Sequence, residues 1–409
     1  MHPLRIVHAL PFFDPALRFG GPVAQLRRVC QGLAQRGHQV SVVTTDLDID
    51  PELPRERWLA KDGYRIWYSR VNRLGRFAPY YVPGARKPLH ESLQDADILH
   101  LSLSFTHLNV LGRRAAGKLG VPYIYTPRSC LDPVRLRQKR LSKLLFLALF
   151  ERKIIRDAAA IHILTETERR QVTRQGGSGE RCILIANGTE LGKETRWPGG
   201  SIFREHFQLR PDGPLILFLG RLHSIKGLDL LIDAFARARG AHSSAQLVIA
   251  GPDEGARSLA EQQARKLGVS EVVHFVGGVD GELRLAAYRA ADIFALTSYS
   301  EGMPNAVLEA CAAGTPVLIT DRCNLPEVAV CDAGRVVPAD STSVADALVE
   351  LLADPGRLRT MGVNARRMVH ERFDFSTVLD RIEQLYRRLT GTSAASAKRK
   401  REIAAVRGA

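Results

Sequence analysis

Apolar segments of strand length alternate with amphipathic helical segments along almost the whole chain of 409 residues. The first strand-like run, LRIVHAL at 4–10, is followed by a helical pattern over 22–37 and a second strand-like run at 39–45. Apolar strands separated by helices are typical of a mostly parallel sheet covered by helices on both faces. The alternation therefore predicts an α/β protein made of doubly wound units.

The alternation is interrupted at NGTELGKETRWPGGSIF over 187–203 and resumes with LILFLG at 215–220. We therefore predict two Rossmann-like domains that face each other across a cleft, where ligands of such sheets usually bind. The predicted divisions are an N-terminal domain at 1–190, a linker at 191–212, a C-terminal domain at 213–372, a helix at 373–390 that packs back toward the first domain, and a flexible basic tail at 391–409.

Lysine and arginine outnumber aspartate and glutamate by 58 to 43, which gives a net charge of +15. This balance favours an acidic partner such as nucleic acid, an anionic membrane or a phosphorylated small molecule. The cations are spread out and form no nucleic-acid recognition motif, so we expect no nucleic-acid partner. The absence of a signal-peptide pattern and of an apolar run of about 20 residues predicts a cytoplasmic protein.

Two carboxylates stand in the mostly apolar stretch YSEGMPNAVLEA over 299–310. Glu301 follows the strand-like run DIFALTS, and Glu309 lies in the helical segment after it. Backbone N–H groups at the start of a helix bind anions. We therefore predict a ligand site formed by both carboxylates and by the N–H groups of Gly302, Met303, Asn305 and Ala306.

The stretch LFLGRLHSIKGLDLLIDAF over 217–235 has the same arrangement of strand, loop and helix. Its strand ends at Gly220, and Arg221 and Lys226 stand before the helix. Two cations beside a helix start predict a diphosphate site. A third loop places Gly20 and Gly21 before a helix, where the backbone can approach a ligand closely. It has no G-x-G-x-x-G pattern, so a nicotinamide cofactor is not indicated.

Together these loops resemble those of the retaining glycosyltransferases of family 4, often called glycosyltransferase group 1, which have the GT-B fold. Their E-x7-E motif corresponds to Glu301 and Glu309, and their G-R-x4-K-G segment to GRLHSIKG at 220–227. The stretch IANGTE resembles their I-P-N-G-V-D. YTPRSCLDP over 125–133 resembles a P-R-G-M-L segment of some polysaccharide-assembly members, and Arg128 stands where many members carry histidine.

The resemblance implies a retaining hexosyltransferase whose second domain holds a nucleotide-sugar donor and whose first domain holds the acceptor. Glu309 would bind the ribose, the backbone around Val276 and Gly277 the base, and Arg221 and Lys226 the diphosphate. The catalytic group would be Glu301, Arg221 and Lys226, without a side-chain nucleophile. On the acceptor side the candidates are Arg128, His100 and His107, with a structural role equally open for the two histidines.

No cofactor and no obligatory metal are expected. Asp46–Leu47–Asp48 is formally a D-x-D motif, which binds metal and diphosphate in the other glycosyltransferase fold. Here it follows the second predicted strand, far in sequence from the basic loop, and we interpret it as a solvated loop. Two other functions remain open, an epimerase or hydrolase of sugar nucleotides on the same fold, and a non-catalytic nucleotide- or glycan-binding protein.

The segment at 135–156, the basic segment, carries eight lysines and arginines against one glutamate. Leu141, Leu144, Leu145 and Ala148 mark one helical face. A basic amphipathic helix can lie on an anionic membrane, and the alternative is an ordinary helix on the first sheet with a solvated basic side. Membrane contact at the inner face of the plasma membrane would suit a lipid-linked glycan acceptor in polysaccharide or lipopolysaccharide assembly.

Overall fold

The computed structural model describes residues 2–16, 20–72, 81–190 and 197–391. The chain forms two compact units, and each is an α/β unit with a wholly or mostly parallel sheet, which confirms the predicted α/β fold class. The first unit contains the chain up to Ala186 together with the chain from Val378 onward. The second unit contains Asn187–Thr377.

In the first unit the described strands form a sheet in the order β3-β4-β2-β1-β5-β6-β7-β8. Neighbouring strands are parallel except β3 and β4, which are antiparallel. The strands are β1 Arg5–Ala9, β2 Gln39–Thr45, β3 Trp58–Lys61, β4 Tyr64–Ser69, β5 Ile98–Ser102, β6 Tyr123–Thr126, β7 Ala160–Ile163 and β8 Cys182–Leu184.

The first sheet carries helices on both faces, and its central strands are accordingly buried on both sides. The helices are α1 Gly21–Gln35, α2 Arg86–Gln94, α3 His107–Leu119, α4 Pro133–Arg137, α5 Arg140–Phe146, α6 Arg152–Asp157, α7 Glu166–Arg174 and the C-terminal α16 Phe375–Gly391, with short 3₁₀ turns at Pro83–Ala85 and Gly179–Arg181. A π-helical turn, Leu147–Glu151, joins α5 to α6.

The face of this sheet beneath α16 is unusually polar. His8 of β1 and His100 of β5 are register partners, and His162 lies on β7. His100 is buried and its Nδ1 lies 2.7 Å from the hydroxyl of Tyr386 in α16. The C-terminal helix thus packs on a row of histidines, whereas residues such as Leu99 and Tyr125 of the opposite face belong to the main apolar core.

In the second unit the described strands form a fully parallel sheet in the order β11-β10-β9-β12-β13-β14. These strands are β9 Leu215–Leu219, β10 Gln246–Ala250, β11 Val273–Gly277, β12 Ile293–Leu296, β13 Val317–Thr320 and β14 Gly334–Val337. The helices are α8 Gly200–His206, α9 Leu228–Ala238, α10 Arg257–Lys266, α11 Gly281–Ala290, α12 Asn305–Ala313, α13 Glu327–Val330, α14 Ser341–Ala353 and α15 Pro355–Arg372, with 3₁₀ turns at Ser224–Lys226 and Asp321–Cys323.

The segment predicted as a linker, 191–212, contains a helix in the structure. This helix, α8, belongs to the second unit and buries Phe203. Arg204 extends from it to the carbonyl of Ala290 at 3.3 Å. The chain passes from one unit to the other between Ala186 and Asn187. A seven-residue helix has too short an apolar face to give a clear helical periodicity in the sequence. The glycines and the proline before it are typical of a linker, so the helix was not predicted. Residues 191–196 and the basic tail beyond Gly391 lie outside the described residues.

One acidic group is buried in the apolar part of the first unit. Glu151, in the π-helical turn, accepts hydrogen bonds from the Tyr125 hydroxyl and from the N–H of Phe105, the latter at 3.1 Å. The Tyr125 hydroxyl lies 2.5 Å from Oγ of Ser104. Burial raises the pKa of Glu151 to about 7, because these hydrogen bonds offset only part of the cost of removing a carboxylate from water.

We predict that Glu151→Gln stabilises the protein above neutral pH. The raised pKa means that the folded state loses stability as pH rises from the ordinary value of 4.5 through about 7, where the buried carboxyl ionises. The amide can keep the hydrogen bonds without charge, so a gain of roughly 1–3 kcal/mol is expected at pH 8 and a smaller one at pH 5. Thermal unfolding at both pH values, with the exposed Glu180→Gln as control, checks this. An equal effect of Glu151→Gln at both pH values would contradict it.

Candidate active site

The second sheet has a topological switch point between β9 and β12. From β9 the chain continues outward to β10 and β11, and then returns to place β12 on the other side of β9. The loops after β9 and β12 therefore diverge at the carboxyl edge of the sheet, which is where parallel α/β sheets bind ligands. These two loops carry Lys226 and Glu301.

Lys226 and Glu301 form a largely buried ion pair at this switch point. Lys226 Nζ donates to Glu301 Oε1 at 2.5 Å, and the two side chains are 14% and 7% exposed. Ser298 Oγ donates to the same oxygen at 2.7 Å. The backbone of Glu301 is also fixed, since its N–H donates to the carbonyl of Arg322 and its carbonyl accepts from Asn324 Nδ2. Loops after three neighbouring strands, β9, β12 and β13, thus hold this carboxylate.

A glycine allows the two loops to approach so closely. Gly227 has a φ of +65°, and a Cβ at this position would lie 2.1 Å from the carbonyl oxygen of Thr297. Thr297 Oγ1 donates to the Gly227 carbonyl at 2.7 Å, and the N–H of Tyr299 donates to the carbonyl of Ile225 at 2.8 Å. Any side chain at 227 would separate these backbones and move Lys226 away from its partner.

Arg221, in the same loop as Lys226, is paired with a carboxylate that the sequence reasoning missed. Its Nη1 donates to Glu254 at 2.5 Å. Glu254 follows β10, and Gly251 brings the two loops together because a Cβ there would lie 1.9 Å from the carbonyl oxygen of Gly220. Glu254 could have been found in the sequence, because GPDEG directly follows the strand LVIA and is therefore another strand-end loop with acidic residues.

Glu309 lies inside α12 and is attached to the preceding helix. Its Oε2 accepts a hydrogen bond from the Tyr288 hydroxyl at 3.0 Å and lies 3.8 Å from Nη1 of Arg284. Tyr288 and Arg284 belong to α11, and neither was singled out from the sequence. Glu309 therefore has partners different from those of Glu301, although both glutamates come from one motif.

The loop before α12 presents backbone donors. Among the described residues, no acceptor lies within hydrogen-bonding distance of the N–H groups of Gly302 and Met303. Asn187 Nδ2 donates to the Met303 carbonyl at 3.3 Å and to Asn305 Oδ1 at 2.9 Å. The asparagine of IANGTE therefore fixes the loop that leads into α12.

Val276 and Gly277 end β11, so they lie at the same carboxyl edge as the loops after β9 and β10. The Gly277 carbonyl accepts from the N–H of Gly251 at 2.7 Å. The structure thus brings Lys226 and Glu301 together and pairs Arg221 and Glu309 with other side chains. A common contact of all four with one pyrophosphate-linked sugar stays a prediction.

The first unit holds the remaining candidates. Gly20 is the N-cap of α1, which begins at Gly21. His100 lies within β5, and its Nδ1 and Nε2 each lie 2.7 Å from a hydroxyl oxygen, of Tyr386 and of Thr126 respectively. Because both ring nitrogens already have hydrogen-bonding partners, a structural role is favoured over acceptor binding for His100. His107 begins α3, accepts from the N–H of Val82 at 3.2 Å and lies against the ring of Tyr81.

Arg128 is buried just after β6, with Ser129 beside it.

Among the described residues, no group of three or more histidine, cysteine, aspartate or glutamate side chains is arranged to hold a metal ion. Independence of the activity from metal stays a prediction. No helix in the described part of the chain is both long enough and apolar enough to cross a membrane.

Two family models match the chain. Residues 20–188 match the glycosyl transferase 4-like domain, and residues 201–368 match the glycosyl transferases group 1 domain. The chain belongs to the group 1 glycosyltransferases. The predicted family is thereby confirmed, and this glycosyltransferase transfers a sugar from a nucleotide-sugar donor.

Relatives of this group 1 glycosyltransferase span nearly its whole length. It is 26% identical over 381 residues to D-inositol 3-phosphate glycosyltransferase of Actinosynnema mirum, covering 88% of this chain and 90% of the relative. Sucrose-phosphate synthase from Thermosynechococcus elongatus has a similar structure, with a TM-score of 0.76 and 24% identity over 95% of this chain and 99% of that one. Anabaena HepE in complex with UDP-glucose has a TM-score of 0.72 and 19% identity over 93% and 99%. These similarities show the GT-B fold.

We predict that the Lys226–Glu301 pair behaves as a coupled buried unit. Lys226→Met or Glu301→Gln alone leaves a buried charge without its partner, which costs about 3–5 kcal/mol, whereas the double variant recovers a large part of this loss. Thermal unfolding of the four proteins in a double-mutant cycle measures the coupling. Arg335→Met, which breaks the more exposed pair with Glu350, is the control and should cost about 1 kcal/mol or less. Simple additivity of the two single variants would contradict the prediction.

Proposed function

We propose that this protein is a retaining glycosyltransferase that moves a hexosyl group from a nucleotide-sugar donor to a lipid-linked glycan acceptor in cell-envelope or exopolysaccharide biosynthesis. The observation that carries the proposal is the Lys226–Glu301 pair at the switch point of the second sheet. This edge combines cations, carboxylates and backbone donors, which is the set that a sugar diphosphate needs.

In the proposed complex, Arg221 and Lys226 bind the diphosphate. A lysine ammonium has three donors, so Lys226 can keep its bond to Glu301 while it also binds a phosphate oxygen. Glu309 is proposed to bind the ribose, and the backbone of Val276 and Gly277 the base. The donor sugar is proposed to contact Glu301 and the N–H groups of Gly302, Met303 and Asn305. Close approach of the backbone to the donor is proposed at Gly220, Gly20 and Gly21.

The chemistry follows from the charges that develop as the glycosidic bond breaks. Negative charge accumulates on the departing diphosphate, where Arg221, Lys226 and the start of α12 stabilise it. The sugar ring becomes positive, and the Glu301 carboxylate eases this change. In retention by front-face attack the leaving phosphate takes the acceptor proton, so no side-chain nucleophile is required.

Two of the related structures support the choice of substrates to test. HepE was solved with UDP-glucose, so UDP-sugars are the first donor class to try. The Actinosynnema relative is named for inositol 3-phosphate and the Thermosynechococcus enzyme for sucrose phosphate. A hydrolase or epimerase would consume the donor fully without an acceptor, and a binding protein would leave it intact.

We predict that one nucleotide class among UDP-, GDP-, ADP-, CMP- and dTDP-sugars raises the thermal midpoint with EDTA present. Lys226→Ala and Glu309→Ala should each reduce the shift, because they remove groups proposed to bind the diphosphate and the ribose. Differential scanning fluorimetry measures it, with Lys266→Ala and Glu271→Ala on exposed surfaces as matched controls. Full shifts in both site variants would refute the proposed donor contacts.

A loss of activity in EDTA that manganese restores would refute metal independence.

The basic segment supports a membrane-bound acceptor. Leu141, Leu145 and Leu149 follow one another at intervals of four residues and are 85%, 62% and 49% exposed. The glutamate of the segment, Glu151, is buried, whereas most of its lysines and arginines are exposed. The surface therefore presents leucines flanked by cations, which suits insertion among anionic lipid headgroups better than a purely solvated helix face.

Both parts of this surface contribute to the proposed binding. Each fully buried leucine contributes roughly 1.5–3 kcal/mol, and each cation near an anionic surface contributes about 1 kcal/mol. The second contribution is screened by salt. The proposed location is therefore the inner face of the plasma membrane, held by reversible contact.

We predict that the protein floats with liposomes that contain anionic lipid and remains in solution with neutral ones. Leu141→Asn/Leu145→Asn should lower the bound fraction about tenfold or more, because two exposed leucines no longer enter the lipid. Leu259→Asn changes a leucine that is 69% exposed in the second unit and should have no effect. Equal flotation with neutral and anionic vesicles, or equal flotation of both variants, would exclude this surface as the membrane contact.

A further inference from the structure

The first unit contains a buried cation, Arg128. Arg128 follows β6 at the carboxyl edge of the sheet and is 7% exposed. Among the described residues, no acceptor lies within hydrogen-bonding distance of its buried Nε–H. Burial lowers the pKa of Arg128 to about 10, so the guanidinium is still charged at neutral pH. Buried charges in proteins are normally paired and hydrogen-bonded, so this guanidinium indicates a ligand.

The nearby carboxylate does not supply the missing hydrogen bond. Glu168 attracts Arg128 electrostatically, but its oxygens accept from the N–H and hydroxyl of Ser129 and from the N–H of Leu164. Arg128 and Ser129 both have positive φ, 49° and 60°. The hydrogen bonds that Ser129 and Leu164 donate to Glu168 fix this turn, from which the Arg128 side chain extends.

Two buried imidazoles, His8 and His162, lie near enough to Arg128 to be affected by its charge. Both ring nitrogens of His8 and Nδ1 of His162 are buried with no partner among the described residues, whereas His162 Nε2 lies 2.8 Å from the carbonyl of Ile185. The ring centroids of His8 and His162 lie 5.2 and 5.7 Å from that of His100 between them. Burial and the charge of Arg128 lower the pKa of His8 to about 3 and that of His162 to about 4, so both are neutral at neutral pH. Neutral His162 carries its proton on Nε2, which donates to the Ile185 carbonyl, so its Nδ1 is an acceptor. The single ring N–H of His8 is therefore the imidazole donor that has no partner among the described residues.

We propose that Arg128 binds an oxyanion of the acceptor, a phosphate or carboxylate group, with His8 as a neutral donor near it. A guanidinium presents parallel N–H groups that match both kinds of oxyanion. The site lies at the carboxyl edge of a parallel sheet, where ligands of such sheets bind. Only the assignment of the oxyanion to the acceptor rests on the proposed function, since binding of the anion itself requires no sugar transfer.

Thermal unfolding with inorganic phosphate, glucose 6-phosphate, glucuronate or neutral glucose, at constant ionic strength, tests the site. We expect at least one oxyanion, but not glucose, to raise the wild-type midpoint by about 2–4 °C. Arg128→Gln should lose this response, and the exposed Arg174→Gln should keep it. An unchanged response in Arg128→Gln, or no wild-type response to any oxyanion, overturns the proposal. The phosphate and glucuronate arms distinguish the two kinds of anion.

Two further measurements separate this site from the donor site and from a folding defect. Lys226→Ala should keep the oxyanion response while it weakens the nucleotide-sugar response, so either proposal can fail alone. If Arg128→Gln does not fold, wild-type crystals soaked in tungstate give the answer. Anomalous density within hydrogen-bonding distance of Arg128 supports the site, and density confined to other positions overturns it.

Discussion

The contact between Lys226 and Glu301 depends on the parallel order of the second sheet. Their loops follow β9 and β12, strands that are neighbours in the sheet but lie more than seventy residues apart in the chain. The opposite charges meet because all six strand ends share one edge and because Gly227 lets the two backbones touch. Once the pair is buried, each charge depends on the other, since neither has enough water around it to remain stable alone. The geometry of the proposed donor site therefore follows from the topology of the sheet.

Among the buried ionisable groups, Lys226, Glu301, Glu151 and Arg128 are accommodated in three different ways. Lys226 and Glu301 neutralise each other at short range. Glu151 has a pKa raised to about 7, so it can take up a proton near neutral pH and lose its charge inside the apolar core. Arg128 keeps its proton at neutral pH, and the Glu168 carboxylate attracts it without accepting a hydrogen bond from its Nε–H. A group that can neither be paired nor neutralised is the one whose surroundings indicate a ligand, which distinguishes Arg128 from the others.

The fold class and the order of its elements could be predicted from the sequence, because alternation of strand and helix needs only local periodicity. The loops with Lys226 and Glu301 could also be predicted, since each lies between an apolar strand and a helix. Glu254, Tyr288 and Asn187 could not be assigned as partners, because their contacts join segments distant in the chain. Helix α8 was missed because seven residues among glycines give too weak a periodic pattern.

By itself the sequence determined which residue types stand at the end of each strand, and therefore the class of ligand: anions at cationic loops and helix starts. Only the tertiary structure decided which charges touch. In the folded protein Lys226 pairs with Glu301, and Arg221 pairs with Glu254. His100 is buried against Tyr386, and Arg128 is buried as well. The physical reason is that the local spacing of apolar residues determines where a strand forms. The pairing of charges depends instead on the order of the strands in the sheet and on the removal of water, and both arise only when distant segments pack together.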